Sequence, residues 1–311
     1  MDRALPWGAL LAALLAAPQS AAAAGDRFNL TEVAPGNFVH LGRQLALDAP
    51  GHDDIANIGF VVGQRCVAVI DTGGSTRTGR ALLGAIGQHT KKPICYVINT
   101  HVHVDHVLGN AVFVKDSVQF VGHEALPAAL DRSRSLFLQS YSDDLDAPAS
   151  GAQIVGPRIK VAADRDLELD LGARRLRLHA WPRAHTDCDL TVYDESTDTL
   201  WTGDLLFVRR TPAIDGSVKG WLSVLDELAN LRPKHIVPGH GDVSRHLVQS
   251  IAPERHYFEA LIANVRADLA QGKPLQEAIA TADTSVSKDW LLWDVTHPHN
   301  VARVYQELEW E

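Results

Sequence analysis

The chain has 311 residues, of which 46% are hydrophobic, and its formal net charge is -9 at pH 7. This length and composition allow a substantial core in one large domain or two small ones. The acidic balance gives no electrostatic basis for binding a phosphate backbone, so we expect no nucleic acid partner.

Residues 1–24 have the pattern of a secretory signal peptide. An Ala- and Leu-rich stretch over residues 9–17 is too short to span a bilayer, and small residues follow it. A frayed alanine-rich helix is the alternative. We predict a periplasmic or secreted protein whose mature part, residues 25–311, is a single domain. No later segment is apolar enough to predict an integral membrane span.

The rest of the chain mixes strands and helices. Residues 28–47 have the pattern of irregular strands. Residues 58–63 and 66–70 have the pattern of a hairpin of buried strands, and a helix is predicted from there to about residue 88. Further strands are predicted at 94–99, 118–121, 167–171, 175–180, 199–202 and 235–238. Further helices are predicted at 124–138, 221–231, 253–271 and 300–309. This order, without a repeat or a linker, indicates one α/β domain.

Three cysteines are present: Cys66, Cys95 and Cys188. An odd number excludes a complete disulfide framework. Cys66 and Cys95 lie near the starts of predicted strands and would form a bridge if those strands were neighbours. We favour the interpretation that they are buried free thiols.

Four candidate metal ligands lie within six residues, directly after the strand predicted at 94–99. They are His101, His103, Asp105 and His106. Two histidines at alternate positions after a strand can point into one pocket, and the Asp and His that follow can reach a second point there. Imidazole and carboxylate suit zinc and related ions. A satisfied core histidine or a solvated charge explains one such residue but not this cluster, which we interpret as a two-metal site.

Three further candidates stand where a predicted strand runs into a loop: His185, Asp204 and His240. Loops at strand ends carry binding groups because the scaffold holds them rigidly. We assign one ion to His101, His103 and His185. We assign the other ion to Asp105, His106 and His240. Asp204 is placed to bridge them, and three protein ligands per ion leave an open position, as in catalytic zinc sites.

The motifs resemble those of the metallo-β-lactamase fold hydrolases in order and spacing, over about residues 57–240. They are His-x-His-x-Asp-His at 101–106, His185-Thr186, Thr202-Gly203-Asp204 and Gly239-His240. The resemblance implies a four-layer αββα sandwich with a dinuclear site at one edge between two sheets. Residues 215–221, with the predicted export signal, are similar to a narrower branch, the exported SoxH-like zinc metallohydrolases associated with quinoprotein systems.

The resemblance implies a hydrolase with two Zn²⁺ per chain, with iron as the alternative metal. A hydroxide shared by the ions would attack the carbonyl of a small-molecule ester, thioester or lactam. Asp105 is the predicted catalytic residue, which ligates one metal and orients the nucleophile. Asp71, at the end of its strand, is either a carboxylate that fixes a ligand histidine or a cap for the turn that follows.

Other functions fit the same ligands. True metallo-β-lactamases usually have Cys or Ser near the position of Asp204, which weakens an antibiotic-resistance function. One alternative is a mononuclear iron persulfide dioxygenase. Another is a non-catalytic metal-binding maturation partner of an exported quinoprotein. The substrate is not predicted, because specificity depends on loops such as residues 140–157, which are rich in Asp, Ala, Ser and Gly.

Several other polar residues are weaker candidates. Arg209, Arg210 and Lys219 flank the Asp204 segment and would bind an anionic substrate, although exposed charge is the default interpretation. We interpret His123 as a packed or capping residue and His179 as a solvated one. Cys188 stands where many family members have Gly, three residues after a ligand histidine, and we expect it to be packed rather than bound to metal.

Overall fold

The computed structural model describes Met1 and residues 28–146 and 154–311. Apart from Met1, the predicted signal peptide lies outside the described residues, as do residues 147–153 of the predicted loop. Within the described part of the chain, no helix is long and apolar enough to cross a membrane.

Seven strands form the first sheet in chain order. They are β1 (Thr31–Ala34), β2 (Asn37–His40), β3 (Ile58–Val62), β4 (Val67–Ile70), β5 (Ile94–Ile98), β6 (Gln119–His123) and β7 (Ile159–Val161). Strands β1 to β4 pair antiparallel, and β4 to β7 pair parallel. The carboxyl ends of β4 and β5 therefore lie side by side at one edge of the sheet, where the predicted ligand motif begins.

Five strands form the second sheet, in the order β12-β11-β10-β9-β8. They are β8 (Leu167–Asp170), β9 (Arg175–Ala180), β10 (Leu190–Asp194), β11 (Thr199–Phe207) and β12 (His235–His240). Strands β11 and β12 are parallel, and the other pairs are antiparallel.

Seven helices complete the described fold. They are α1 (Thr76–His89), α2 (Val104–Val107), α3 (Leu126–Ser140), α4 (Val218–Leu228), α5 (Leu247–Ala270), α6 (Leu275–Ala280) and α7 (Trp293–Leu308). Two of them begin after a serine that caps the first turn: the Ser75 hydroxyl accepts from the Thr78 N–H, and the Ser217 hydroxyl accepts from the Gly220 N–H.

The strands alternate side chains between two layers. On β4, Val67 and Val69 pack with Leu82 and Ile86 of α1, whereas Ala68 and Ile70 belong to the core between the two sheets. The second sheet supplies the other half of that core. Its outer face packs against α4, α5 and α7, through residues such as Trp221, Phe258 and Val304. The predicted four-layer αββα sandwich is confirmed.

Strands β11 and β12 are longer than predicted. Asp204 lies inside β11 and His240 is the last residue of β12, so the prediction that each follows its strand is wrong. The buried Leu205, Leu206 and Phe207 extend β11 beyond the Thr-Gly-Asp segment. The ladder continues through register shifts on either side of Gly203, which a pattern of alternating residues does not reveal.

Other differences concern short elements and proline. The sequence pattern did not predict β7, β10, α2 and α6. The last two long helices begin earlier than predicted, since α5 and α7 contain Pro253 and Pro298 within their first two turns.

Cys66 and Cys95 form a disulfide bond, so the preferred interpretation as free thiols is wrong. The stated condition for pairing is met, because β4 and β5 are neighbouring parallel strands and Val67 pairs with Ile94. Cys188 is a buried free cysteine. It packs in an apolar cluster with Val102 and Leu126.

Candidate metal centre

The site begins where β4 and β5 end. Asp71 follows β4 with a left-handed backbone (φ 54°), and its carboxylate accepts from the Thr100 N–H at 2.8 Å and from the Thr100 hydroxyl at 2.7 Å. Thr100 immediately precedes the ligand motif. The end of one strand therefore holds the start of the motif that leaves the next strand, and the single turn α2 then brings Asp105 and His106 inward.

The structure brings all seven predicted ligands together in two adjacent groups. The first cluster contains His101, His103, His185 and Asp204. The second cluster contains Asp105, His106 and His240. Within each cluster one ligand atom per residue lies within 4.8 Å of the others. The predicted division of ligands between two ions matches this grouping.

Asp204 lies between the two clusters. Its Oδ2 is 3.4 Å from His185 Nε2 and 3.2 Å from His240 Nε2, and its Oδ1 is 3.2 Å from His106 Nε2. The carboxylate thus faces histidines of both clusters, which is the position predicted for a bridging ligand.

One ring nitrogen of each histidine is anchored away from the centre. In the second cluster, His106 Nδ1 donates to Asp71 Oδ2 at 2.8 Å, and His240 Nδ1 donates to the Ile55 carbonyl at 2.8 Å. Such outer bonds fix the tautomer and orient the ring for metal binding. Asp71 therefore has the predicted role of fixing a ligand histidine.

The first cluster has equivalent anchors. His185 Nδ1 donates to the Ala213 carbonyl at 2.7 Å, and His103 Nε2 donates to Asp215 Oδ2 at 2.8 Å. The Thr100 hydroxyl proton is already donated to Asp71, so His101 Nδ1 donates to the Thr100 oxygen at 3.0 Å.

The atoms that face the centre lack partners. His101 Nε2, His106 Nε2 and Asp204 Oδ1 are buried without a hydrogen bond to any described residue, because the 3.2 Å approach of His106 Nε2 to Asp204 Oδ1 does not have hydrogen-bond geometry. His103 Nδ1 and His185 Nε2 lie 2.9 Å apart. Because both of these rings donate through their other nitrogen, the neutral forms present two facing lone pairs. Buried polar atoms are rarely left in this state, and this donor set fits a metal cofactor such as zinc.

The electrostatics of the site favour a cation. Burial and the neighbouring His106 hold the pKa of His101 well below its usual value, and burial lowers the pKa of His185 to about 4. Burial acts to raise the pKa of Asp105 and Asp204, but the surrounding histidines outweigh it and hold both pKa values below the usual range. Both carboxylates are therefore ionised at neutral pH and available as ligands.

Gly239 allows Asp204 and His240 to approach. A Cβ at this position would overlap Asp204 Oδ1 and would lie 2.7 Å from the carbonyl carbon of Gly203. The close approach of β11 and β12, rather than an unusual backbone angle, therefore requires glycine here.

A cavity of about 720 Å³ opens onto both clusters, and Asp105, Asp204 and His240 line it. Among the predicted cationic residues, Arg210 lines the cavity and is buried. Lys219 is exposed and pairs with Glu311, so it is not in the site. Arg209 is exposed and does not line the cavity.

The remaining predicted residues lie outside the clusters. His123 is buried; its Nδ1 accepts from the Ala125 N–H at 2.9 Å, which confirms a packed, capping role. His179 is partly exposed and bonds Asp166 at 2.6 Å. Cys188 belongs to neither cluster, and burial raises the pKa of its thiol.

The sequence analysis missed most of the anchoring groups. The carbonyls of Ile55 and Ala213 have no signature in residue type, because every residue has a carbonyl. Asp215 was noted only as part of a branch motif. Its place shortly before the capping serine of α4 was a weak signal that its side chain points back to the site.

The model of the metallo-beta-lactamase superfamily matches residues 52–240. No curated protein matches the chain. Among solved structures, the stereoselective inverting sec-alkylsulfatase Pisa1 from Pseudomonas sp. has a TM-score of 0.65 and 19% identity, over 90% of this chain and 50% of that chain. This chain thus spans about half the length of that enzyme.

Two β-lactamases are also similar. The metallo-beta-lactamase from Pontibacter korlensis has a TM-score of 0.58 and 17% identity, over 74% of this chain and 98% of that chain. The DIM-1 metallo-beta-lactamase has a TM-score of 0.56 and 14% identity, over 74% and 96%. These likenesses show a shared fold. Since the family match covers more than half of the residues and includes every predicted ligand position, the chain belongs to the metallo-β-lactamase superfamily.

Proposed function

We propose that this chain is an exported dinuclear zinc hydrolase that acts on an electrophilic carbonyl in an ester, a thioester or a lactam. One observation carries the proposal. Five histidines, each anchored through one ring nitrogen, turn the other nitrogen towards two adjacent points that also receive Asp105 and Asp204. Membership of the superfamily supports the hydrolase class.

The first cluster would hold one ion and the second cluster the other, with Asp204 shared between them. When bound, zinc supplies Lewis acidity and lowers the pKa of water towards about 7, which hydrolysis near neutral pH requires.

Asp105 is the proposed catalytic residue. Its Oδ2 lies 3.3 Å from His240 Nε2, and the side chain borders the cavity. As an ionised carboxylate it can only accept hydrogen bonds. It would therefore accept one from a water molecule in the cavity and aim the oxygen lone pair at the carbonyl carbon.

Arg210 supports a substrate with a negatively charged group. Its guanidinium is buried at the cavity, forms no ion pair within the described residues, and donates there only to the Leu45 carbonyl, at 2.9 Å. Burial lowers the pKa of Arg210 even though the carboxylates of Asp105 and Asp204 act to raise it, so an anionic group of the substrate would further stabilise the buried charge. At the mouth, Leu47, Leu136 and Val295 are exposed and suit an apolar part of the same molecule.

Sulfate-ester hydrolysis is the second candidate. The combination of a buried arginine and an apolar mouth favours it, because an alkyl sulfate has an anionic group that would face the arginine and an apolar chain that would face the mouth. The alkylsulfatase with the same fold acts, by its name, on substrates of this kind. The residues of both clusters would again hold the metal, and Asp105 would orient the water towards the sulfate ester in place of a carbonyl carbon.

Two further proposals concern the location of the protein and its partner. Export rests on the pattern of residues 1–24, and an association with an exported quinoprotein rests on the motif at residues 215–221. The persulfide dioxygenase alternative requires iron in place of zinc, so metal identity separates it from the hydrolase.

Elemental mass spectrometry of the purified protein tests the proposal, with Asp204→Ala as the variant and Asp116→Ala, at an exposed aspartate that belongs to neither cluster, as the control. We expect two zinc ions per chain in the unchanged protein and in the control, falling to one or fewer in Asp204→Ala. Hydrolysis of nitrophenyl esters, thioesters, lactams and alkyl sulfates is then measured on the same samples.

One iron per chain would replace the hydrolase with dioxygenase chemistry. Full zinc loading without turnover of any of these substrates would support a non-catalytic metal-binding role.

A further inference from the structure

A loop outside both sheets anchors two histidines of the first cluster. Residues 212–215 follow β11 without regular structure. Ala213 accepts from His185 Nδ1 at 2.7 Å through its carbonyl, and Asp215 accepts from His103 Nε2 at 2.8 Å through its carboxylate. The opposite nitrogens of these two rings are the pair that face each other at 2.9 Å. The loop therefore sets the orientation of half of the first cluster.

Helix α7 holds this loop from behind. The buried Asn300 accepts from the Ile214 N–H at 3.0 Å and donates to the Pro212 carbonyl at 2.6 Å. His299 Nε2 lies 3.1 Å from Asp215 Oδ1, and Arg303 donates to the Asp215 carbonyl at 2.5 Å. All three α7 residues lie beyond residue 240, where the family match ends.

His103 depends on its anchor more than the other histidines do. Its side chain is 26% exposed, whereas those of His101, His106, His185 and His240 are at most 3% exposed. Packing therefore fixes the other four rings, but the carboxylate of Asp215 is the main constraint on this one. A histidine ring that can rotate binds metal more weakly, because binding must restrict that rotation at a cost in entropy.

We infer that Asp215 is a positioning residue for the metal in the first cluster, and that α7 is a working part of the metal centre because it fixes Asp215. His299 and Asn300 fix the position of the loop. Asp215 on the loop then orients the ring of His103 so that its Nδ1 faces the ion. The inference rests on the proposed function in one respect only, that the first cluster binds metal.

The chain offers a matched control for Asp215. Asp166 also accepts from a histidine, His179, at 2.6 Å, and both partners are similarly exposed, at 31% and 37%. That pair lies outside the clusters. Asp166→Ala therefore removes the same kind of bond, together with an ion pair to Arg177, without touching the metal centre.

Zinc titration of the metal-free full chain against a chelating dye tests the inference. His185→Ala and His240→Ala serve as references that assign the two dissociation constants to the first and second clusters. For Asp215→Ala we expect the first-cluster constant to rise about 10- to 100-fold and the second-cluster constant to stay unchanged. Asp215→Asn, which keeps an oxygen acceptor, should recover part of the affinity, and Asp166→Ala should change neither constant.

His299→Ala tests the link to α7. It should raise the first-cluster constant several-fold, and the visible spectrum of the cobalt-substituted protein should change in both His299→Ala and Asp215→Ala. Two unchanged constants in Asp215→Ala would overturn the inference, as would an equal rise in both constants with a loss of thermal stability. If the unchanged chain binds no zinc, the proposed function fails as well, and that result is distinct from two zincs with no effect of Asp215.

Discussion

The second cluster is supported by the first sheet, whereas the first cluster is supported by a loop and, behind it, by α7. In the second cluster, His106 is anchored on Asp71 at the end of β4, and His240 on the carbonyl of Ile55 shortly before β3. Asp71 is 1% exposed and Ile55 is also buried. In the first cluster, Asp215 is 43% exposed and its loop depends on contacts from the end of the chain.

This difference in support predicts that the two clusters differ in rigidity. The second cluster has supports that form with the core of the sandwich, so it should be rigid even without metal. In the first cluster Ile214 packs in the core, but the anchoring pair of His103 and Asp215 is 26% and 43% exposed, so this anchor should open locally at lower cost. Substitutions in the C-terminal region should therefore alter the metal affinity of the first cluster. They should leave the metal affinity of the second cluster unchanged.

Gly239→Ala should have the largest effect, because it acts on both clusters at once. The new methyl group would overlap Asp204 Oδ1 and force the shared carboxylate away from the histidines. We expect metal content to fall below one ion per chain and the free energy of unfolding to fall by about 1–3 kcal/mol. Elemental analysis and urea unfolding measure the two effects.

Gly84→Ala is the control for that substitution. Gly84 lies on α1, and nothing would lie within 4 Å of its new Cβ. Alanine should raise the free energy of unfolding by up to about 1 kcal/mol, since it favours the helix, and should leave metal content unchanged. Full metal content in Gly239→Ala would mean that Asp204 is not needed in its observed position.

Asp71→Asn should act mainly on the second cluster. Asparagine keeps one acceptor oxygen for Thr100 but loses the charge that orients His106. We expect the second-cluster dissociation constant to rise about 10- to 100-fold. The first-cluster constant should rise less, because the Thr100 hydroxyl also contacts His101.

Asp54→Ala is the control, since Asp54 bonds His40 at 2.6 Å outside the site. It should leave both constants unchanged. A larger effect of Asp71→Asn on the first cluster than on the second would contradict the division of supports between the two clusters.

Removing the metal should loosen the first cluster more than the second. The amides of Ile214 and Gly216 are hydrogen-bonded to Asn300 and His185, whereas the amide of Thr100 is bonded to buried Asp71. After chelation we expect hydrogen exchange at residues 214–216 to accelerate about 10- to 100-fold, which corresponds to local stability lower by about 1.4–2.7 kcal/mol. Exchange at Thr100 should accelerate less. Equal acceleration at both places would show that the two clusters are equally rigid.

The local part of the site was predictable from the sequence. Four ligands lie within six residues after a strand of clear apolar pattern, so their meeting requires only that the strand end at one edge of a sheet. Asp204 and His240 were found by their motifs, but the extension of β11 past Asp204 and of β12 to His240 was not predicted, because register shifts leave no mark in an alternating pattern.

Other contacts depend on how distant segments pack. The pairing of Cys66 with Cys95 requires β4 and β5 to be neighbours, and periodicity does not establish sheet order. The support from His299 and Asn300 requires α7 to pack on the loop at residues 212–215, more than 80 positions away. Neither residue type nor spacing reports such a contact.

Cys188→Ala should have the smallest effect on the centre, and it separates packing from metal binding. The thiol is 0% exposed, packs with Val102 and Leu126, and stays protonated at neutral pH because burial raises its pKa. We expect two metal ions per chain, as in the unchanged protein, and a free energy of unfolding lower by about 1 kcal/mol for the lost sulfur contacts.

Cys188→Ser completes the test, because serine keeps the size of the side chain but places a hydroxyl in an apolar cluster. The serine variant should be less stable than the alanine variant by about 1 kcal/mol or more, since part of the hydroxyl desolvation stays uncompensated, while its metal content stays at two. A metal-bound thiol would give the opposite order of effects: both variants would lose metal to the same extent, and their stabilities would follow the metal lost rather than the polarity of the new side chain.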